Sequence, residues 1–478
     1  VSDTRDRRPE LPEASELLRC PNCGQDRARG VDHRCAAPGL IELSPEALLV
    51  VEAVRSVGDE LVVVGGAVRD RLLGREPTDV DFEIAPASRD RLRAALTEVG
   101  YVGTRGASYE LMVVAVHGRE FELSIVDPEL DAAGRFGRRD FTLNAIGWSP
   151  ATEELIDPWA GAVDLEEGVL RHTTPQSLGT DPLRVLRGVR FAGTHGFRFH
   201  ADTAVIAQSL RDEWDSLPTD RIWAEWRRLG RTATDWPAAL RALDDTAWTT
   251  LFPELETIHD TPQDPSWHPE GTVWAHTALA AAAAAEICST SGITGVDRDV
   301  VVLGALVHDL GKAECTVVEP DGRITSRGHA DAGVAPAESF LKRIGAPASV
   351  RDRVLPIVRE HMAHTIDQPT RAAVRRLVRR LHPATLQDWI PVVSADVGGR
   401  GAASQPFDAH RWEALAADTG QLPAKPLLRG EHLVALGLEP GPRFGELIRE
   451  SLEAQDDGVF DDEAGAAAWA AERLELGG

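Results

Sequence analysis

The sequence predicts an α+β chain: a small mixed β-sheet with helices at the front, then helices nearly to the end. Three observations carry this. "LVVVGGAVRDRLLGREPTDVDFEI", Leu61 to Ile84, sets out a short buried strand, a helix closed by Gly74, and a second strand of alternating character. "YELMVVAVHGREFELSIV" reads as a hairpin turning at His117-Gly118. After Asp181 the strand signals fade, and arginine-rich, then alanine-rich, segments of helical spacing take over.

In chain order, residues 1–43 form a charged, Pro-containing tail with one small module, "CPNCGQDRARGVDHRC". C-P-x-C-G is a turn that aims two thiolates at one ion, so Cys20, Cys23, His33 and Cys35 are candidate ligands of a structural Zn²⁺. Unpaired cysteines in a disordered tail are the alternative. Residues 44–165 are the α/β head, opened by "SPEALLVVEAVRSVG" with a Ser N-cap and Pro at the first helical position. Residues 166–258 make a helical neck containing "PLRVLRGVRFAG" and "TDRIWAEWRRLG". The polar linker "HDTPQDPSWHPEGT" leads into a helical domain over 259–400, and 401–478 is a helical tail. Within that tail, "LLRGEHLVALGLEPGPRFGELIRE" has the punctuation of a helix-turn-helix.

At 478 residues and 43% apolar content, the chain builds several cores. No apolar run reaches the roughly 18 residues of a membrane span, and the start is charged, which indicates a soluble cytoplasmic protein with no membrane partner. Five cysteines, three of them between Cys20 and Cys35, suit a reducing compartment. The net charge of −25 argues against a broadly basic nucleic-acid surface. Distribution matters more: Lys312, Lys342 and Lys425 are the only lysines, so positive charge is carried by arginine, the better bidentate ligand for phosphates and base edges. A GC-rich coding bias produces the same count. Oligomeric state is not readable.

A strand that runs into Gly65-Gly66 and opens a helix presents free backbone N–H groups to an anion. Arg69 is the candidate triphosphate contact, unless it pairs with Asp70 or Asp79. On one strand, Asp79 and Asp81 project from the same face and can hold the same Mg²⁺ ions. A phosphate cradle beside paired carboxylates is the equipment of two-metal phosphoryl or nucleotidyl transfer.

"GGAVRD" with "DVD", "RRDFTLNAI", "LIDPWAGAVDL" and "DPLRVLRGVRFA" resemble, in order and spacing, the motifs of the class II (bacterial and eukaryotic) tRNA nucleotidyltransferase and poly(A) polymerase family. The resemblance implies a nucleotidyltransferase head that extends a tRNA 3′ end from CTP and ATP with Mg²⁺. It implies Asp79, Asp81 and an assisting Glu122 as the catalytic acids, Arg139 and Asp140 as the ribose contacts, and Asn144 as a further nucleotide-binding residue. Asp181 and Arg184 would read the incoming base, and Arg187 and Arg190 on the same helix are candidate nucleotide contacts, unless that face simply pairs with nearby acids. Two departures stand out. Thr180 occupies the position where the family usually has Glu, and "LSIVDPELDAAGRFG" is short where CCA-adding relatives carry a longer loop. Loop shortening in this family accompanies addition of C without the terminal A, so weakened A addition is the expectation. CC-only addition and poly(A) synthesis are the alternatives within the family.

Downstream, "VWAHTALA", "LVHDLGK", "RGHADAG", "VREHMAH" and "SADVGGRG" supply His276, His308, Asp309, His329, His361, His364 and Asp396. Imidazoles and carboxylates on successive helices can converge on one or two transition-metal ions. Neighbours on a helix diverge by about 100°, so His308 and Asp309 share a site only at a helix end, where Gly311 puts it. The set resembles an HD phosphohydrolase domain, which implies phosphatase or 2′,3′-cyclic phosphodiesterase activity. A different class of reading makes that centre the only activity and the head a nucleotide- or RNA-binding module.

Overall fold

The structure is a computed structural model that describes residues 17–77, 79–105, 111–366, 368–401, 407–419 and 423–475. The chain divides into two compact units, Val1–Leu217 with Ala242–Trp248, and Pro218–Arg241 with Thr249–Gly478.

Among its described residues the first unit carries, besides the short parallel pair Val169–Leu170 and Arg198–Phe199, ten strands: β1 (Leu18–Arg19), β2 (Asp26–Arg27), β3 (Arg34–Ala36), β4 (Leu61–Val64), β5 (Asp81–Ile84), β6 (Tyr101–Arg105), β7 (Leu111–Val116), β8 (Arg119–Ile125), β9 (Gly147–Ser149) and β10 (Glu154–Ile156). β1 and β2 pair alone, and the other eight form one mixed sheet in the order β3-β10-β9-β4-β5-β8-β7-β6. Every pairing in it is antiparallel except that of β5 with β8. An unbroken Leu-Val-Val-Val run suits β4 because the sheet is covered on both faces. Val63 packs with Phe82, Leu92 and Trp148, whereas Val62 and Val64 pack with Phe136, Ile156 and Trp159. β7 and β8 form the expected hairpin, with His117 and Gly118 both at positive φ (50° and 85°), the geometry of a two-residue turn that follows the strand twist. Tyr109 and Glu110, read as part of that hairpin, lie outside the described residues.

Helix Pro45–Ser56 starts as its sequence dictates: the Ser44 hydroxyl accepts from Ala47 N–H and Pro45 fills the first position. The strand expected to carry both aspartates begins only at Asp81. Asp79 sits in the non-strand segment before it, so the pair does not share a strand face by strict alternation.

The second unit is helical among its described residues, apart from the two-stranded pair Val317–Val318 and Ile324–Thr325. The alanine run of helix Val273–Thr290 has a packing reason. A Cβ on Gly399 would lie 2.9 Å from Ala280 N, so small residues on both sides let this helix and Leu386–Gly399 approach closely. The terminal segment holds helices Gly430–Ala435 and Pro442–Asp456 around Leu433, Leu447 and Phe460, in the turn arrangement read from its Gly-Pro punctuation. No described helix is long and apolar enough to cross a membrane.

Candidate active sites

The Gly65-Gly66 elbow forms where β4 ends and helix Gly66–Leu72 begins. Gly65 has φ +73°, and a Cβ there would stand 3.1 Å from Arg139 Nη1. Glycine therefore satisfies both a left-handed backbone and the close passage of a guanidinium. Arg139 Nη2 donates to Glu83 Oε2 at 3.1 Å, and Glu83 is buried on the same strand as Asp81. Sequence reading passed over Glu83; its signal is the i+2 spacing from Asp81 on an alternating strand.

Asp81 and Glu122 belong to adjacent parallel strands, Glu122 one residue before the Leu123 that pairs with Phe82. Asp81 reaches the surface, yet the crowding of neighbouring atoms pushes its carboxyl up. Glu122 and Asp79 add to that rise and Arg139 opposes it. Three mutually repelling acids at one strand end are what a divalent cation relieves, and an all-oxygen donor set suits Mg²⁺.

Arg69 is not a loose phosphate hook. It is buried, with Nη1 on Asn144 Oδ1 (2.7 Å) and Nη2 on Asp70 Oδ1 (2.7 Å). Asn144 Nδ2 donates in turn to Asp140 Oδ1 (2.9 Å), and Asp140 Oδ2 accepts from Arg187 Nε (2.9 Å). A continuous network thus joins the elbow to the helix Leu183–His195. Burial pushes the Asp140 carboxyl up, but Arg187, Asn144 and the Phe141 amide outweigh it and hold it below the usual range. The guanidinium groups of Arg69, Arg187 and Arg190 surround the Phe191 ring at 5.0, 5.7 and 4.4 Å. Arg184 Nη1 donates to Arg138 O (3.0 Å), and its backbone N–H donates to the carbonyl of Asp181, which precedes the Pro182 N-cap of the same helix. Thr180 turns its hydroxyl back to Ser177 O (3.0 Å) and offers no carboxylate.

In the second unit, His276, His308, Asp309, His329, His361 and Asp396 are all buried and converge. They form two groupings of ligand atoms, His276-His308-Asp396 and Asp309-His329-His361. Asp309 lies between them: Oδ2 is 3.2 Å from His308 Nε2 and Oδ1 is 3.3 Å from His329 Nε2. His308, His329 and His361 each spend Nδ1 on a backbone carbonyl three residues earlier, which leaves Nε2 for the centre. The Nε2 atoms of His329 and His361 stand only 3.0 Å apart. Both Asp309 oxygens and His308 Nε2 are buried and make no well-aligned hydrogen bond, although charged neighbours stand close to each. Burial pushes His308 down, yet Asp309 and Asp396 lift it to about 10, so positive charge is demanded at this point. These residues fit divalent ions. Gly311 is needed for the convergence, since a Cβ there would meet His329 O at 2.1 Å.

Four supporting residues escaped sequence reading. Glu270 accepts from both His276 Nδ1 and His268 Nδ1 at 2.8 Å, from within the segment read as a linker. Lys312 Nζ is 2.7 Å from Asp309 Oδ2, and Arg400 clamps Asp396. A cleft of about 670 Å³ opens onto Asp309, His329 and His361, lined also by Trp267, Arg327 and Arg359. His364 is not part of either grouping. Near the front of the chain, Cys20, Cys23, His33 and Cys35 bring their ligand atoms within 4.8 Å of one another.

The poly A polymerase head domain model matches residues 61–171, and the HD domain model matches residues 273–384. The multifunctional CCA protein of Xanthomonas campestris is 30% identical over 424 residues, covering 81% of this chain and 96% of its own. That of Halorhodospira halophila is 31% identical, covering 84% of this chain and 98% of its own. The chain belongs to the multifunctional CCA protein family. Among solved structures, this family member shares its fold with the Bacillus stearothermophilus CCA-adding enzyme in complex with CTP (TM-score 0.58, 20% identity, 91% of this chain and 99% of that one). The Thermotoga maritima CCA-adding enzyme complexed with tRNA aligns similarly (TM-score 0.57, 18% identity, 92% and 99%). As a CCA protein family member, the chain joins a nucleotidyltransferase head to an HD domain with buried His and Asp groupings that could hold metal ions.

Proposed function

We propose that the head builds or repairs the CCA end of tRNA from CTP and ATP in the cytoplasm, and that the HD centre hydrolyses phosphoesters, 2′,3′-cyclic ends included. The observation that carries the first part is the buried network from the glycine elbow through Arg69, Asn144 and Asp140 to Arg187, set beside the crowded acids Asp79, Asp81 and Glu122. The names of the relatives, and the CTP and tRNA held by fold neighbours, support it. Asp79 and Asp81, with Glu122 assisting, would hold a Mg²⁺ that, when bound, would neutralise the triphosphate and lower the pKa of the attacking 3′-hydroxyl. The elbow N–H groups receive a phosphate, and Arg139 and Asp140 set the ribose. Asp181 and Arg184 present an acceptor and a donor fork to the base edge. Arg69 and Asn144 keep these pieces in register.

In the HD centre, the His276-His308-Asp396 and Asp309-His329-His361 groupings would hold divalent ions that would activate water and polarise the phosphoester, Lys312 and Glu270 orient Asp309 and His276, and Arg327 and Arg359 line the cleft where a phosphate would enter. The roles follow the segments 44–165, 166–258, 259–400 and 401–478 as head, neck, hydrolase and tail, the tail helices cradling the tRNA elbow. One observation favours a second reading of specificity: only residues 126–131 separate β8 from helix Ala132–Phe136, which leaves little loop for switching from C to A.

The test is incubation with tRNA lacking its 3′ end, CTP and ATP, followed by sequencing of the products. Asp79→Ala or Asp81→Ala lowers incorporation about a thousandfold, the scale of several kcal/mol of metal stabilisation. Ends stopping at CC identify the narrower specificity, and no incorporation by the wild type rejects the head as an enzyme.

A further inference from the structure

The Cys/His module lies ahead of the matched head domain, yet two of its arginines pair with buried acids inside that domain. Cys20 and Cys35 are buried in the same apolar core as Val63, Trp148 and Leu155. β3, which carries Cys35, pairs with β10 through Cys35 and Leu155 and so forms the border strand of the catalytic sheet. The thiols are unbridged, with Cys23 Sγ 3.6 Å from His33 Nε2. Gly24, at φ +72°, lets its N–H return to Cys20 O (2.8 Å), which closes the turn around the first two ligands. Three thiols and an imidazole gathered this closely, half inside a core, match the donor set of a closed Cys3His zinc site.

Between Cys23 and His33 the chain carries two arginines that meet two fully buried acids. Arg27 Nη2 pairs with Asp157 Oδ2 at 2.7 Å. Arg29 grips Asp164 with both terminal nitrogens, each at 2.7 Å. Asp164 Oδ2 also accepts from the Thr142 hydroxyl at 2.6 Å, and Oδ1 from Arg171 Nε at 3.2 Å. Thr142 begins the short turn Thr142–Asn144, whose last residue holds Arg69 and Asp140. A carboxylate with no exposure needs such partners, because unpaired burial of its charge is costly. The segment that delivers Arg27 and Arg29 runs between Cys23 and His33, two residues of the Cys/His grouping.

We infer that Cys20, Cys23, His33 and Cys35 bind a structural zinc ion, and that this ion positions the nucleotide-binding segment Arg138–Ile146 through Arg29, Asp164 and Thr142. The second half rests on the nucleotidyltransferase reading of that segment. Arg29 touches no substrate and is a positioning residue.

The test uses the full chain purified anaerobically. One zinc per cysteine site is expected, and growth with cobalt should give a thiolate-to-cobalt charge-transfer absorption that the HD ligands, which include no cysteine, cannot produce. Lack of that band overturns the site. Arg29→Ala should keep the metal while amide hydrogen exchange across Thr142 to Ile146 rises about tenfold, with Arg29→Lys partly restoring protection. Cys23→Ser should lose the metal and raise the same exchange. Unchanged exchange in Arg29→Ala overturns the positioning role. In steady-state assays the Arg29→Ala effect should fall mainly on KM for CTP. A zinc-loaded wild type with the expected exchange pattern but no nucleotide incorporation would reject only the enzymatic reading of the head.

Discussion

At the scale of single residues, the sites depend on atoms that leave room for others. Gly65 combines φ +73° with a Cβ position 3.1 Å from Arg139 Nη1. Gly65→Ala should cost about 1–2 kcal/mol in backbone strain and displace Arg139, raising KM for the nucleotide about tenfold in steady-state kinetics. Individual chemistry-bearing residues were legible because their signals are local: a strand ending in two glycines, acids two positions apart, histidines at helix ends. Their partners were not. Arg69 as a buried bridge to Asn144 depends on side chains 75 positions apart meeting in the fold, and no spacing rule conveys that. Glu270 and His268 were hidden for another reason: they sit in a stretch whose Pro and polar content reads as a linker.

At the scale of elements, the strands and helices of the head were readable from periodicity, but two strand boundaries were not. β5 begins at Asp81, so Asp79 joins the acidic group from outside the ladder. β3 has three residues, too few for an alternating pattern, and exists because β10 pairs with it. The turn Thr142–Asn144 depends on Asp140, whose carboxyl is held low chiefly by Arg187 against the upward push of burial. A group depressed in the folded state contributes stability above its ordinary range and loses it as pH falls through the folded value. Denaturant melts between pH 7 and pH 3 should show stability falling with acidification, and Asp140→Asn should be less stable at pH 7 with a flatter acid limb.

At the scale of the whole molecule, the two units carry separate cores and separate ligand sets. His308→Ala and Asp309→Ala should abolish phosphatase and cyclic phosphodiesterase turnover while CTP incorporation stays within about twofold, measured on the same preparations. Chelation should likewise remove hydrolysis, which depends on the buried His and Asp groupings holding their ions. The pairing of β3 with β10 has a practical corollary for anyone trimming this protein to its recognisable core. A clone begun at residue 61 would strip the cover from β10 and offer its bare amides and carbonyls to a second molecule, so the shortened product would be prone to clump strand against strand. The short strand β3 is thus a bumper against self-association.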